Sequence, residues 1–254
     1  MNCSSYGDFA FVYDKLTDDV EYEKRIDFIE KIIDIHFGKK PEILCDLGCG
    51  TGTVCKIMND RGYDCIGIDS SESMLSVAAT KNTDNRILFL NQDITDFELY
   101  GTVDVFLCLL DTVNYICNQD ELEKMFGLIY NYLNPDGIFI FDVNTFFKFT
   151  EVLGNNTYVF EKDNIFYTWE NYYEEGNLEF YLNFFVSEGE DGAYKRFSEQ
   201  HFQRFYSMDT LSELAIQAGL SVEAFYSDMS FEKPGDGEER MYIVLKKINK
   251  RIKT

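Results

Sequence analysis

Between residues 42 and 141 the sequence alternates short apolar runs with segments in which apolar residues recur at helical spacing. The runs are EILCDL, YDCIGID, RILFLNQD, VDVFLCLL and IFIFDVN, and we predict a β-strand at each of them. Strands that are apolar along their whole length and are separated by helices are typical of a parallel sheet covered on both faces. The alternation therefore predicts an α/β fold with a mostly parallel sheet.

The sequence after about residue 150 is rich in aromatic residues, and the segments EEGN and EGEDG are typical of hairpin turns. Within NLEFYLNFFVS every second residue from Phe180 to Val186 is apolar, which is the period of a strand with one apolar face. A helix at SMDTLSELAIQAG and strands at LSVEAFYS and RMYIVLKK follow. We expect a single domain over residues 1–254, with a helical cap over 1–40 and an antiparallel insert over about 155–206.

The net charge limits the partners of this chain. It is −22, with a sequence pI near 4.4, and nucleic-acid binding depends on neutralising phosphates with Lys and Arg. No apolar run approaches the roughly 20 residues of a membrane span, and MNCSSYGDFAFVYDKL lacks the basic start and apolar centre of a signal peptide. We therefore expect a cytoplasmic monomer or homodimer without nucleic-acid or membrane partners.

The cysteines do not indicate a metal site. There are seven of them, without a CxxC pair, and only two histidines accompany them. Zinc sites usually combine closely spaced cysteines and histidines. We expect free, buried thiols and no bound metal.

Three glycines in DLGCGTG follow the first predicted strand and allow a ligand to approach the backbone closely. A Walker A loop requires GxxxxGK[ST], which the sequence does not contain here. A dinucleotide fingerprint has the spacing GxGxxG, whereas this segment has GxGxG with Asp46 just ahead of it. The Asp46 carboxylate would repel a pyrophosphate but help to hold an ammonium, such as that of S-adenosylmethionine.

The next two strands carry residues suited to an adenosine. Asp69 ends the second strand about 20 residues after Gly48, where its carboxylate can accept hydrogen bonds from both ribose hydroxyls. Met74 lies one helical turn past Ser70 and Ser71 and could pack on the adenine face. The third strand ends in Gln92, Asp93 and Ile94, where the adenine amino group would need an acceptor.

The segments CDLGCGTG, GIDSSESML, NQDITDF, LCLLDTVNYI and LNPDGIFIFDV, in this order, resemble the motifs of the class I S-adenosylmethionine-dependent methyltransferases. FAFVYDKL, LDTVNYI and HFQRFYS are similar to segments of a bacterial group of small methyltransferases whose substrates are mostly unassigned. The resemblance spans nearly the whole chain. It implies a Rossmann-like, doubly wound sheet of about seven strands, the last one antiparallel and inserted.

The resemblance also implies residue roles toward S-adenosylmethionine. Gly48, Cys49 and Gly50 would contact it through their backbone. Asp69 would bind the ribose, and Ser70, Met74, Asp93 and Ile94 would surround the adenine. Leu109 and Tyr13 would approach the methionine part, and Arg25 would pair with its carboxylate.

The acceptor of the methyl group is expected to be a small molecule methylated at nitrogen or oxygen, because the aromatic insert suits a lid. Methyltransferases acting on amino groups of DNA bases carry a [DNS]PP[YFW] stretch where this chain has LLDTVNY. The segment after the fourth strand offers Asp111, Asn114 and Tyr115 for catalysis. The insert offers His201 and Arg204, which alternation places on opposite faces of a strand.

Two alternatives remain open at the level of sequence. A protein that binds S-adenosylmethionine without catalysis would keep Asp69 and the glycines but close the space beside Asp111 and Tyr115. An NAD-dependent oxidoreductase would share the same kind of sheet.

Overall fold

The computed structural model describes residues 6–187 and 192–248. Residues 1–5, part of the predicted helical cap, lie outside the described residues. Six α-helices are present in the described ranges: α1 (Tyr6–Leu16), α2 (Tyr22–His36), α3 (Thr53–Asp60), α4 (Glu72–Lys81), α5 (Gln119–Tyr132) and α6 (Met208–Ala218). None of the described helices is both long and apolar enough to cross a membrane.

Seven strands form the larger sheet: β1 (Ile43–Leu47), β2 (Asp64–Asp69), β3 (Leu88–Asn91), β4 (Val103–Cys108), β5 (Leu133–Asn144), β10 (Leu220–Ser227) and β11 (Arg240–Lys247). Their order across the sheet is β10-β11-β5-β4-β1-β2-β3. β1 to β5 pair in parallel, and β11 runs antiparallel between β10 and β5. The predicted Rossmann-like α/β fold with an inserted antiparallel last strand is confirmed.

Both faces of this sheet are covered, which explains the uniformly apolar strands. All six residues of β4 are buried. Phe106 and Phe139 pack with α5 and α6 on one face, while Val105 and Ile138 pack with α2 and α3 on the other. One boundary differs from the sequence prediction: β5 begins at Leu133, before NPDG, rather than at Ile138.

The insert is a separate four-stranded antiparallel sheet of β6 (Thr157–Lys162), β7 (Ile165–Glu174), β8 (Asn177–Ser187) and β9 (Tyr194–Arg204). The predicted alternation in β8 is confirmed, since Phe180, Leu182 and Phe184 are buried on one face. That face packs against Phe9 of α1 and Met74 of α4. The insert and α1 thereby cover the carboxyl ends of the parallel strands.

Candidate active site

A cavity of about 1270 Å³ lies at the carboxyl ends of the parallel strands. β1 and β4 are neighbours in the sheet, although β2 and β3 lie between them in the chain, so the strand order reverses between β1 and β4. Ligands of open α/β sheets bind at this kind of switch point. The loops after β1, β3 and β4, the start of α4 and the inner face of the insert all line the cavity.

The glycine loop after β1 shapes one end of the cavity. Gly48 has a φ of 72°, and a Cβ there would come within 2.4 Å of the Thr112 side chain. Gly50 has a φ of 53°, and a Cβ there would meet no atom within 4 Å, because the residue faces open space. Only glycine adopts these conformations without strain, so the loop both packs tightly and leaves room for a ligand.

The N–H groups of this loop are already used within the protein. Gly48 and Cys49 donate to the carbonyl of Ile68 at 2.8 and 3.0 Å, and Gly50 donates to Asp69 Oδ2 at 2.8 Å. A phosphate-binding loop instead directs its N–H groups at the ligand. A ligand that contacts these three residues therefore meets backbone atoms without unpaired N–H groups.

Asp69 connects the loop to the next helix. Its Oδ1 accepts the Ser71 N–H and its Oδ2 the Gly50 N–H, both at 2.8 Å. Ser71 in turn caps α4 by accepting the Met74 N–H. Burial raises the pKa of Asp69, and the two backbone donors oppose that shift. Since a carboxylate has about four acceptor positions, Asp69 keeps two of them for a ligand's hydroxyl groups.

Asp46 lies beneath the glycine loop and is 2% exposed. Burial raises its pKa to about 7, while the Cys55 thiol, which donates to its Oδ2 at 3.6 Å, opposes the shift. A cation placed beside this carboxylate would stabilise its charged form. The position is thus electrostatically suited to an ammonium group.

Helix α1 is fastened over the glycine loop by Asp14. The Thr51 hydroxyl donates to Asp14 Oδ1 at 2.6 Å, and Lys81 of α4 forms an ion pair with Asp14 at 2.6 Å. These contacts bring Tyr13 into the wall of the cavity. The sequence offered no signal for this arrangement, because all three residues lie on different elements.

The loop after β4 forms the other end of the cavity and has a left-handed backbone, with φ values of 58° at Leu110 and 52° at Asp111. Non-glycine residues adopt this conformation at a cost and need support from their surroundings. Asp142 of β5 supplies that support, since its carboxylate accepts both N–H groups, at 2.7 and 2.9 Å. Asp142 is itself fully buried and pairs with Arg240 of β11.

The Asp111 side chain is held from two directions. Arg240 donates to its Oδ1 at 2.7 Å, and Gln203 of β9 donates to its Oδ2 at 2.6 Å. Asp111, Gln203 and Arg240 all line the cavity. Sequence reasoning missed Asp142, Gln203 and Arg240; the carboxylate inside the apolar run IFIFDVN was the one local signal among them.

Aromatic side chains close the space above Asp111. His201 stacks on Phe180 with ring centroids 4.8 Å apart, and Tyr115 meets its edge at 5.8 Å. Burial lowers the pKa of His201 to about 4, although the Asp111 carboxylate opposes the shift. The imidazole is therefore neutral at pH 7.

Comparison with known proteins identifies the family. Residues 44–137 match a family model described as a methyltransferase domain. YqeM of Bacillus subtilis (strain 168), which is named as a methyltransferase, is 33% identical over 95% of this chain and 97% of its own length. The chain belongs to the class I S-adenosylmethionine-dependent methyltransferases.

Solved structures agree with this assignment. An S-adenosylmethionine-dependent methyltransferase from Clostridium acetobutylicum ATCC 824 is 33% identical, with a TM-score of 0.87 over 97% of this chain and 99% of that one. CalS10, an amino pentose methyltransferase from Micromonospora echinaspora, shares the fold at 16% identity, with a TM-score of 0.75 over 93% and 97% of the two chains.

The cavity of this methyltransferase fits its cofactor, S-adenosylmethionine. Gly50 leaves space for the ligand, Asp69 offers acceptors to ribose hydroxyls, and Asp46 suits the ammonium. Of the predicted cofactor residues, all but Arg25 line the cavity: Tyr13, Asp46, Gly48, Cys49, Gly50, Asp69, Ser70, Met74, Asp93, Ile94 and Leu109.

Arg25 lies outside the cavity of the methyltransferase. Its guanidinium donates to Asp228 and to the Tyr242 hydroxyl, both at 2.6 Å, and its Nε donates to the Val20 carbonyl at 3.0 Å. These partners fasten α2 to the end of the sheet. The arginine is thus occupied in a structural contact and is not placed to pair with the cofactor carboxylate.

The predicted catalytic residues divide in the same way. Asp111, Tyr115 and His201 line the cavity, whereas Asn114 and Arg204 do not. Asn114 is fully buried; its Nδ2 donates to the Arg204 carbonyl at 2.8 Å and its Oδ1 accepts the Asn144 N–H at 2.9 Å. The Arg204 guanidinium donates to the Cys117 carbonyl at 3.0 Å. Both side chains connect the insert to the core.

Proposed function

We propose that this enzyme transfers a methyl group from S-adenosylmethionine to a nitrogen or oxygen atom of a small molecule. The observation that carries the proposal is one continuous cavity, which joins Asp69 and the glycine loop at one end to Asp111 and Tyr115 at the other. Pockets for one drug-sized ligand measure roughly 300–1,000 Å³. A cavity of about 1270 Å³ has room for the cofactor and a second, small ligand.

The roles of the residues follow from their positions. Bound S-adenosylmethionine supplies a methyl group on an already activated leaving group, so the protein has mainly to align the nucleophile and exclude water. We assign Asp69 and the glycine loop to the cofactor, and Asp111, Tyr115 and His201 to the acceptor. The insert and α1 cover this space, and their aromatic side chains line it.

A small acceptor is favoured over a polymer for two reasons. The acceptor end lies beneath the insert, and the chain has a net charge of −22. The amino pentose methyltransferase CalS10 shares this fold and is named for a small acceptor. The alternative of binding without catalysis is disfavoured, because the space beside Asp111 and Tyr115 is open to the cavity.

Two measurements test the proposal. Calorimetry should show that the protein binds S-adenosylmethionine and S-adenosylhomocysteine. Methyl incorporation into bulk RNA or DNA should stay at background even in low salt, where any attraction to phosphates is greatest. Salt-sensitive labelling of either polymer would refute a small acceptor, and failure to bind either cofactor form would refute the assigned site.

A further inference from the structure

Four polar side chains form a floor at the acceptor end of the cavity: Asp111, Asn144, Gln203 and Arg240. Asn144 ends β5 and Arg240 begins β11, where the two residues face each other across the sheet. The sheet order places β5 and β11 beyond β4, on the side away from β1, β2 and β3. Because the cofactor residues follow β1 to β3, this floor faces the acceptor rather than adenosine.

The direction of each hydrogen bond in the floor is determined by Arg240. A guanidinium can only donate, so the Asp111 carboxylate accepts from it at 2.7 Å. The ionised carboxylate can only accept, so Gln203 donates to it through Nε2, at 2.6 Å. Gln203 must then present its Oε1 to Asn144, which donates through Nδ2 at 3.4 Å.

With these hydrogen bonds made, one acceptor atom of the floor has no donor among the described residues. Asn144 Oδ1 is buried, and no donor in the described ranges, 6–187 and 192–248, reaches it. Asn144 is 4% exposed and Gln203 is 2% exposed, so solvent does not randomise their orientation. A buried acceptor without a donor is unfavourable, and a ligand that brings a donor removes that cost. The floor therefore selects a ligand with N–H or O–H groups.

The charge of the floor restricts which class of ligand fits. The carboxylates of Asp111 and Asp142 share one guanidinium, that of Arg240, which leaves an excess of negative charge. The walls above it include the rings of Phe9, Tyr115 and Trp169, and aromatic faces attract cations. An ammonium or amine meets both conditions, whereas a carboxylate or phosphate meets neither.

We propose that the methyl acceptor is an amine, held by N–H groups donated to Asn144 Oδ1 and to the Asp111 carboxylate. This proposal rests on the proposed function. An amine that has released its extra proton to solvent uses its nitrogen lone pair to form the new N–C bond. The C–S bond breaks and its electron pair returns to sulfur, giving S-adenosylhomocysteine and a methylated ammonium. The positive charge moves from sulfur to nitrogen, beside Asp111, where a fixed carboxylate stabilises it.

The test uses the protein loaded with S-adenosylhomocysteine and probes in matched sets. The probes carry a benzyl, phenylethyl, indolylethyl or cyclohexylmethyl group, and each group is tested as the amine, the alcohol and the carboxylate. Binding is measured by ligand-observed NMR. We expect each amine to bind at least tenfold more tightly than the alcohol with the same group, and we expect the carboxylates not to bind. Equal binding of alcohols, tighter binding of carboxylates, or no amine binding at millimolar concentration would overturn the proposal.

Variants at Asn144 locate the effect. Asn144→Leu keeps the size of the side chain and removes the acceptor, so it should reduce amine affinity about tenfold and reduce the weaker affinity for alcohols by less. Asn144→Asp keeps an acceptor at this position and should retain amine binding. Asn171→Leu is the matched control, because Asn171 is also buried with an unused Oδ1 but does not line the cavity. An equal loss in both leucine variants would contradict the assignment of Asn144.

The experiment distinguishes failure of the amine proposal from failure of the proposed function. If the protein does not bind S-adenosylhomocysteine, the proposed function fails before any amine is tested. If it binds the cofactor product and prefers alcohols, the proposed function stands and the amine is excluded.

Discussion

The two ends of the cavity are built in different ways. The end that we assign to the cofactor, the cofactor end, consists of short, contiguous segments after neighbouring parallel strands. Its hydrogen bonds run largely from backbone N–H groups to Asp69 or to the Ile68 carbonyl. The end that we assign to the acceptor, the acceptor end, consists of side chains that meet from distant parts of the chain. Gln203 is 92 residues from Asp111 and Arg240 is 129 residues away, yet both donate to its carboxylate.

This difference determines how each end responds to substitution. The glycine loop and Asp69 directly follow two adjacent parallel strands, so a changed side chain there should affect binding more than folding. The acceptor end depends on ion pairs and side-chain hydrogen bonds between elements, so a change there should affect folding and turnover together. Four predictions test this contrast, beginning with the largest expected effect.

Arg240→Met should lower the free energy of unfolding by about 3–5 kcal/mol, which is the usual cost of leaving a buried charge without its partner. Asp142 is fully buried and would keep only the two backbone donors of the strained loop. Denaturant titration measures the change. Arg204→Met is the control, because that guanidinium bonds to a carbonyl and not to a buried carboxylate. A loss below about 1 kcal/mol at Arg240 would show that the acceptor end does not depend on this ion pair.

Tyr115→Phe and Asp111→Asn should affect turnover without affecting cofactor affinity. We expect at least one of them to reduce turnover roughly 100-fold, the low end of a general-base or positioning effect. Cofactor affinity should stay within a few-fold of the wild type, because we assign these residues to the acceptor. Single-turnover kinetics and calorimetry measure the two quantities. Tyr172→Phe, on the outer face of the insert and 52% exposed, should change neither; normal turnover in both test variants would place the acceptor elsewhere.

The same contrast explains what could be predicted from the sequence. The sequence predicted that Asp69 and the glycine loop lie close together, and both line the cavity. This could be predicted because the carboxyl ends of neighbouring parallel strands meet at one edge of the sheet. The fold followed from the same alternation of strands and helices.

Only some of the residues predicted for the acceptor end line the cavity. Asn114 lies between Asp111 and Tyr115 in the sequence, but its side chain forms hydrogen bonds with the backbone of β5 and β9. The left-handed turn that precedes it cannot be predicted from a sequence motif. Arg25 pairs with Asp228, which is 203 residues away. Local patterns do not specify which distant partner a charged side chain will meet, so Arg25 was misplaced and Arg240 was missed.

Asp69→Ala should weaken binding of S-adenosylmethionine by about 1.5–3 kcal/mol, the cost of removing hydrogen bonds to a charged group. Calorimetry with S-adenosylhomocysteine measures the loss directly. Asp64→Ala is the matched control, since Asp64 begins the same strand at its exposed end. If Asp69→Ala instead lowers the free energy of unfolding and leaves the affinity intact, the cofactor end depends on side chains for its stability as much as the acceptor end does.

The smallest predicted effect concerns two buried groups, one at each end, that respond to pH in opposite directions. The pKa of His201 is lowered to about 4 in the folded protein, against an ordinary value of 6.5. Between these values the unfolded chain binds a proton that the folded protein does not, so stability falls as the pH falls from 6.5 to 4. At pH 5 this costs about 2 kcal/mol relative to pH 8.

Asp46 behaves in the reverse manner, because its pKa is raised to about 7 from 3.8. The folded protein keeps a proton that the unfolded chain releases, so stability falls as the pH rises from 3.8 to 7. The two slopes oppose each other in the wild type, and a flat stability profile between pH 5 and 8 would conceal both of them.

Substitution separates the two slopes. His201→Phe keeps a ring that can stack on Phe180, which lies 4.8 Å from the imidazole, and removes the titration. Between pH 8 and pH 5 this variant should therefore gain about 2 kcal/mol relative to the wild type, measured by urea titration at each pH. His36→Phe is the control: burial lowers the pKa of His36 as well, but that residue lies at a partly exposed contact with Tyr226 and should give a smaller gain. Parallel profiles for His201→Phe and the wild type would mean that the imidazole is hydrated or charged in the folded protein. In that case water would reach the ring of His201, and the burial of this side chain at the acceptor end would be wrong.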